Sequence, residues 1–442
     1  MDITFDSRDE YQRKAVALRL EKLLDSSIDI SPIVIDGNWG TGKTEFSLKL
    51  CHYLSQKNEE RLVIYIDAFK EDHCEDPLLS ITAAIANALP ESEKEELIKK
   101  AIPAIKFGVK TALKAGAGWI LRQEADKLTD EFQQAIKDTS NAAIDGTIEN
   151  LISEHMNSES NLKALNAKLR ELSEKRKIIL IIDELDRCRP NFAVELLEKV
   201  KHIFEAPNVK FILITNLTQL KASINHIYGL SVNSQSYLDK FIKYTIRLPE
   251  TFKHDGYSAH HTSYSHWHGL IENNEVTRPI HDVLERQIEE ILSIRMLSLR
   301  EIETLHRNLE VYQLLTEKSL GNQKTYLHNL ACFTAIYTYC FADKDKLSNV
   351  KSENAIREIA NILEMNPYKV NAGNIHSTPH HALIFYGLIS ENKSCYEGLT
   401  NFKEEELKLL DQLLEQLTRG DYRGFNYTRT FQNVFHRLSL AL

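Results

Sequence analysis

One octapeptide carries more chemistry than any other part of the sequence: Gly37-Asn38-Trp39-Gly40-Thr41-Gly42-Lys43-Thr44, spaced G-x-x-x-x-G-K-T. Glycines at these positions let backbone N–H groups wrap a phosphate, and a helix beginning at the loop's end adds partial positive charge. Lys43 would neutralise the terminal phosphate oxygens, Thr44 would offer its hydroxyl to Mg2+, and Glu45 closes the nucleotide-binding stretch. An apolar run at 32–36 reads as a strand before the loop, and 44–54 reads as a helix after it, which is the context such a loop requires. The expected ligand is ATP with Mg2+.

Binding alone does not hydrolyse. About 140 residues downstream, Ile178-Ile179-Leu180-Ile181-Ile182-Asp183-Glu184 gives a fully apolar strand ending in two acids, the pattern of a buried central strand. Asp183 would hold Mg2+ through water, and Glu184 beside it would polarise the attacking water. Asp186 and Arg187 follow at once, either tying the loop to a neighbour or reaching the phosphate. After a further apolar run at 211–214 comes Asn216, a candidate sensor of the γ-phosphate that equally fits a loop starter. Lys240, Arg247 and Arg300 are candidate cations for the transferred charge, with a solvated surface as the alternative for each.

These residues need a scaffold. Short β-rich runs at 32–36, 62–67, 177–183, 209–215 and 244–248, each followed by a helical pattern or a turn, have the βα rhythm of a parallel sheet, so the fold class is α/β. A lead-in helix is expected over 8–24, and a helical insertion over about 91–174, with a break at 157–161. Beyond the core of residues 1–250 a loop is expected over 252–274, then helices over 282–309, 319–341 and 404–417. Residues 251–310 form a lid and helical segment in this reading, and 311–442 a helical C-terminal domain.

Composition narrows the rest. A net charge of -9 argues against a protein that coats nucleic acid by electrostatics alone, although a local basic patch can sit inside an acidic total, leaving nucleic acid open but unsupported as a partner. The stretch 101–121 is about long enough to span a bilayer, but Lys106, Lys110 and Lys114 line one helical face, each costing about 2.5–3.5 kcal/mol at a bilayer centre, so a membrane span is not expected. Six scattered cysteines without a C-x-x-C pair read as reduced thiols, and with no leader pattern at the start the expected compartment is the cytoplasm. His254, His260, His261, His266 and His268 crowd together without cysteines or acids at ligand spacing apart from Asp255. They read as an exposed, aromatic, mobile loop, with a metal site or a pH-sensitive contact as the alternative. Tyr422, Phe425 and Tyr427 near the C-terminus read as aromatics buried against the helical domain, with stacking on bases or a partner peptide as the alternative.

The stretch Ile182-Asp183-Glu184-Leu185-Asp186-Arg187 resembles the Walker B signature of the KAP family of P-loop NTPases. Ile66-Asp67-Ala68-Phe69-Lys70, Tyr237-Leu238-Asp239-Lys240 and Leu299-Arg300-Glu301-Ile302 resemble three further family blocks in the same order, together covering about residues 8–310. Glu184 stands where the family often has Asp, and Phe69 where Trp is usual; neither change removes the chemistry. The resemblance implies an additional-strand (ASCE-type) P-loop ATPase: a parallel sheet with a helical insertion, a helical lid and nucleotide-controlled assembly. Many relatives carry transmembrane helices where this chain has its lysine-marked stretch. Bacterial relatives are often linked to defence against phages and plasmids beside effector proteins.

The leading expectation is therefore an ATPase switch that assembles with itself, as a homo-oligomer, or with a partner effector. An ATP-driven motor or loader on nucleic acid and a non-hydrolysing ATP-binding scaffold are the alternatives.

Overall fold

The computed structural model describes residues 3–101, 163–365, 379–391 and 424–440, apart from 10, 58–60, 74–76, 100, 204–207, 254–258, 273 and 322–324, together with 408, 412, 413 and 415. The lysine-marked stretch beyond residue 101, the break at 157–161, Tyr422 and most of the helix expected over 404–417 lie outside the described residues. The chain divides into two compact units, Met1–Pro249 and Glu250–Leu442.

The first unit is built on five strands, each within one residue of its expected bounds: β1 (Ile33–Asp36), β2 (Arg61–Asp67), β3 (Lys177–Asp183), β4 (Val209–Thr215) and β5 (Tyr244–Arg247). All pair in parallel in the order β2-β3-β4-β1-β5. β4 thus lies between the strand that leads into the phosphate loop and the strand that ends in the two acids. That interposed strand is the additional-strand arrangement the family resemblance implies.

Period-two alternation explains why β3 is apolar throughout. Ile178, Leu180 and Ile182 face the core that also holds Phe192, Leu196 and Val200 of the helix Pro190–Ile203. Ile179 and Ile181 face the opposite core, with Phe46, Leu50 and Leu54 of the helix Lys43–Lys57 and Ala17, Leu20 and Leu24 of the helix Lys14–Asp25. With both faces covered, no polar residue is tolerated until the strand ends, and each buried isoleucine contributes about 1.5–3 kcal/mol. Register then brings chemistry to one edge: Asp36 lies opposite Thr215, and Asp67 opposite Asp183, at the carboxyl ends of the strands.

The lead-in helix starts at Lys14 rather than residue 8, because Asp9 accepts from the backbone N–H of Arg13 and Lys14 and holds the preceding chain in a turn.

The second unit contradicts the expected loop over 252–274. It holds an antiparallel hairpin of β6 (Thr251–Lys253) and β7 (Ala259–His261), followed by the helix Thr262–Ile271. The misreading has a physical source. Six of that helix's ten residues are Thr, Ser, His or Gly, yet Tyr264, Trp267, Leu270 and Ile271 fall on one face, and His261 caps its start by accepting from the Ser263 N–H. The single helix expected over 282–309 is two, Arg278–Leu292 and Leu299–Leu315, the second opened by a reciprocal Ser298–Glu301 capping box. The helix expected from 319 begins at Tyr326 behind a Thr325 cap.

That helix, Tyr326–Phe341, is buried without interruption from Leu327 to Tyr339 apart from His328, so it runs through the middle of the unit. One core runs from Trp267 to Phe435, and residues 251–310 share it with the C-terminal helices. Phe425 and Tyr427 pack on it, as expected of the aromatic C-terminal stretch.

Trp267 is fully buried, with edge-on contacts to His306 and Phe333. Trp267→Ala should lower the stability of the second unit by about 3–5 kcal/mol, read as an earlier unfolding transition in urea. A midpoint shift equivalent to less than about 1 kcal/mol would mean that this helix does not anchor the core.

Candidate nucleotide site

The loop from Gly37 to Thr44 joins β1 to the helix Lys43–Lys57, and its backbone conformation depends on glycine. Gly40 and Gly42 sit at φ of 75° and 77°, where a side chain is strained. A Cβ on Gly37 would meet the Thr41 hydroxyl at 2.9 Å. The Thr41 hydroxyl itself donates to the Asn38 carbonyl at 2.9 Å.

Arg13, almost fully buried, donates to the carbonyls of Thr41 at 2.7 Å and Gly42 at 3.4 Å, and so braces the loop from behind. Sequence reasoning missed it, because an arginine at the start of a helix carries no signal of what it will reach. The Trp39 indole N–H donates to Asp186 at 2.6 Å, and Thr215 donates to the other oxygen of Asp186 at 3.3 Å. Of the two roles left open for Asp186, the tie is the one seen.

Lys43 is 9% exposed and donates to the Gly37 carbonyl at 2.6 Å and the Asn38 carbonyl at 3.0 Å. Burial pulls its pKa down, against the opposing field of Asp186, Asp183, Glu184 and Asp36. A cation set among four acids at the head of a helix is a charge pattern for a polyphosphate and its metal.

Asp183 is 1% exposed. Burial raises its pKa, while the Glu184 N–H at 2.8 Å, the Ser47 hydroxyl at 3.0 Å, the Thr44 hydroxyl and the Tyr65 hydroxyl at 3.1 Å pull it back toward the ionised form. Ser47 lies one turn beyond Thr44 on the same helix face, and alternation along β2 turns Tyr65 toward that helix. Neither was singled out from sequence, since strand register could not be known.

Glu184 stands in the left-handed region at φ of 62°, a conformation costing a non-glycine residue of order 1–3 kcal/mol. Its side chain accepts from the Thr44 hydroxyl at 2.9 Å and is ion-paired with Arg187. Burial raises its pKa, against that hydrogen bond and the Arg187 charge. Thr44, Asp183 and Glu184 are thus gathered although 139 residues separate the first two in sequence.

Other expected site residues are placed differently. The Glu45 carboxylate is held by Arg8 at 2.8 Å and Lys49 at 2.7 Å, which outweigh burial and keep its pKa low, so its backbone is what remains for a nucleotide. Asn216 caps the helix Leu217–Tyr228, its side-chain oxygen accepting from Thr218 and Gln219, which leaves its amide as the group for sensing. Lys240 is exposed and lies over the Tyr237 ring at 5.5 Å. Arg247 is exposed at the end of β5. Arg300 is exposed at the head of the helix Leu299–Leu315 in the second unit.

A family model described as the KAP family P-loop domain matches residues 13–316. The chain belongs to the KAP family of P-loop NTPases. The match takes in the phosphate loop, the interposed strand and the Asp183-Glu184 pair of this KAP protein, and it ends within the second unit. No curated protein matches it. Among solved structures, it is similar to Drosophila ORC bound to DNA, at 12% identity with 97% of this chain and 81% of that one covered and a TM-score of 0.28. It is also similar to the Aeropyrum pernix ORC2 protein in ADPNP-ADP complexes, at 13% identity, 98% and 85% coverage and a TM-score of 0.29. Superposition this loose says nothing of what the KAP chain does. No helix among the described residues is long and apolar enough to cross a membrane, and the four described cysteines are free thiols.

The donor set fits Mg-ATP. Lys43 and the loop N–H groups suit phosphate oxygens, and the Thr44 hydroxyl beside Asp183 suits a hard cation that prefers oxygen ligands. When bound, Mg2+ would supply charge at the β and γ oxygens. The protein itself keeps the Glu184 carboxylate beside the Thr44 hydroxyl.

Proposed function

We propose that the chain hydrolyses Mg-ATP and uses the cycle to switch its assembly with itself or with a partner effector. The observation that carries this reading is the hydrogen bond from the Thr44 hydroxyl to Glu184, beside the buried Asp183. It ties the metal-binding end of the phosphate loop to the candidate general base, so occupation of one side must rearrange the other. A structural ATP scaffold has no need of a buried Asp183 and a half-buried Glu184 whose ionised forms are costly. Asp183 takes the metal, Glu184 the proton of the attacking water, and Lys43 the γ-phosphate charge, with Asn216 and Lys240 as the second line of contacts.

Hydrolysis would break the link between the γ-phosphate and the Glu184 turn, releasing whatever interface the ATP form had ordered. The family resemblance supports placing this switch in anti-phage or anti-plasmid defence, and the scattered cysteines support the cytoplasm as its compartment. The Glu184→Gln protein should retain in ATP, and shed in ADP, whichever species it assembles with, a second copy or another protein, when recovered by affinity from its native cell extract. The same set of bound species in both nucleotides would overturn the switch. ATP turnover stimulated by DNA or RNA would instead favour a motor on nucleic acid.

A further inference from the structure

The helix Thr262–Ile271 carries His268, and the helix Arg278–Leu292 carries His281 just before its kink at Leu284 and Glu285 just after it. Their three ligand atoms lie within 4.8 Å of one another. His281 is 7% exposed, His268 is half-buried and Glu285 is exposed. The two imidazoles meet edge to face with ring centres 4.8 Å apart, and Tyr264 packs edge-on against His268 at 4.7 Å.

We propose that this trio is a transition-metal site that takes Zn2+. Two imidazoles and one carboxylate are a borderline donor set that suits zinc and not Mg2+ or Ca2+, which prefer oxygen. Tetrahedral zinc with bonds of about 2.0–2.2 Å places its ligand atoms about 3.4 Å apart, so the atoms must close by at most about 1.4 Å. The exposed Glu285 side chain is free to swing. Tyr264 and Trp267 already fix the ring planes, as supporting groups around metal sites do. A fourth position is left for water on the Glu285 side. The bound ion would clamp the two helices at the start of the second unit, far in sequence from the phosphate loop.

The site carries its own reporter. The Trp267 indole N–H donates to His281 Nδ1 at 3.4 Å. Whichever His281 nitrogen binds metal, this contact is given up: Nδ1 either takes the metal or takes the proton displaced from Nε2.

Full-length protein stripped with chelator should bind one equivalent of Zn2+ with a change in tryptophan emission, and Co2+ should give visible absorption bands. The His268→Gln/Glu285→Gln variant should bind at least tenfold more weakly, and Glu285→Gln alone, at an exposed position, should also weaken. Asp183→Asn should keep the emission change, separating this site from the phosphate loop. No Zn2+ binding by the wild type, equal binding by the variants, or loss of the signal in Asp183→Asn would each overturn the proposal.

Discussion

Lys43→Ala should abolish measurable ATP binding and lower turnover by about 10²–10³-fold while leaving the chain folded. In the proposed site the lysine would bring its charge to phosphate from inside the loop, and hydrogen bonds to charged groups are about twice as strong as neutral ones. Its removal should cost little stability. Burial already lowers the Lys43 pKa, so the ammonium sits in the site at a desolvation cost that alanine does not bear. Asp36, Asp183, Glu184 and Asp186 lose a compensating cation, which offsets part of that gain. Calorimetric titration with ATP, paired with thermal unfolding of the apo protein, separates the two effects. A folded Lys43→Ala protein that bound ATP within threefold of wild type would place the nucleotide elsewhere.

Glu184→Gln should lower kcat by about 10²–10⁴-fold with ATP affinity retained. Glutamine keeps the size and still accepts from the Thr44 hydroxyl, but it cannot take a proton from water and it gives up the charge facing Arg187. The left-handed backbone at residue 184 is unaffected, since the substitution changes nothing at Cβ. The Glu184→Gln protein should therefore bind and stop. Equal loss of affinity and turnover would instead make Glu184 a structural partner of Thr44.

Much of this was legible in the sequence because burial writes itself into residue type. β3 could be read as a central strand from its run of five apolar residues, Ile178 to Ile182, since both faces demand the same chemistry. The glycines of the phosphate loop were legible because two of them require a backbone that other residues resist. The interposed position of β4 was not, because strand order leaves no mark on a single sequence; it entered through family resemblance and is seen in the pairing.

Ser47, Tyr65 and Arg13 were missed for the same reason. Their types are ordinary, and only register and packing bring them to Asp183 or the loop. The helix Thr262–Ile271 hid behind its own composition. Its apolar face holds four residues among histidines and serines, so polarity outweighed periodicity. The partners of His268 were equally invisible, lying 13 and 17 residues further along on another helix.

Phosphate release from Mg-ATP by the purified wild-type chain, measured beside Glu184→Gln and Lys43→Ala, tests the central claim most directly. The wild type should turn over ATP only with Mg2+ present, Glu184→Gln should bind ATP without releasing phosphate, and Lys43→Ala should do neither. A wild-type chain that binds Mg-ATP without releasing phosphate, or a Glu184→Gln protein that turns over at the wild-type rate, would contradict it.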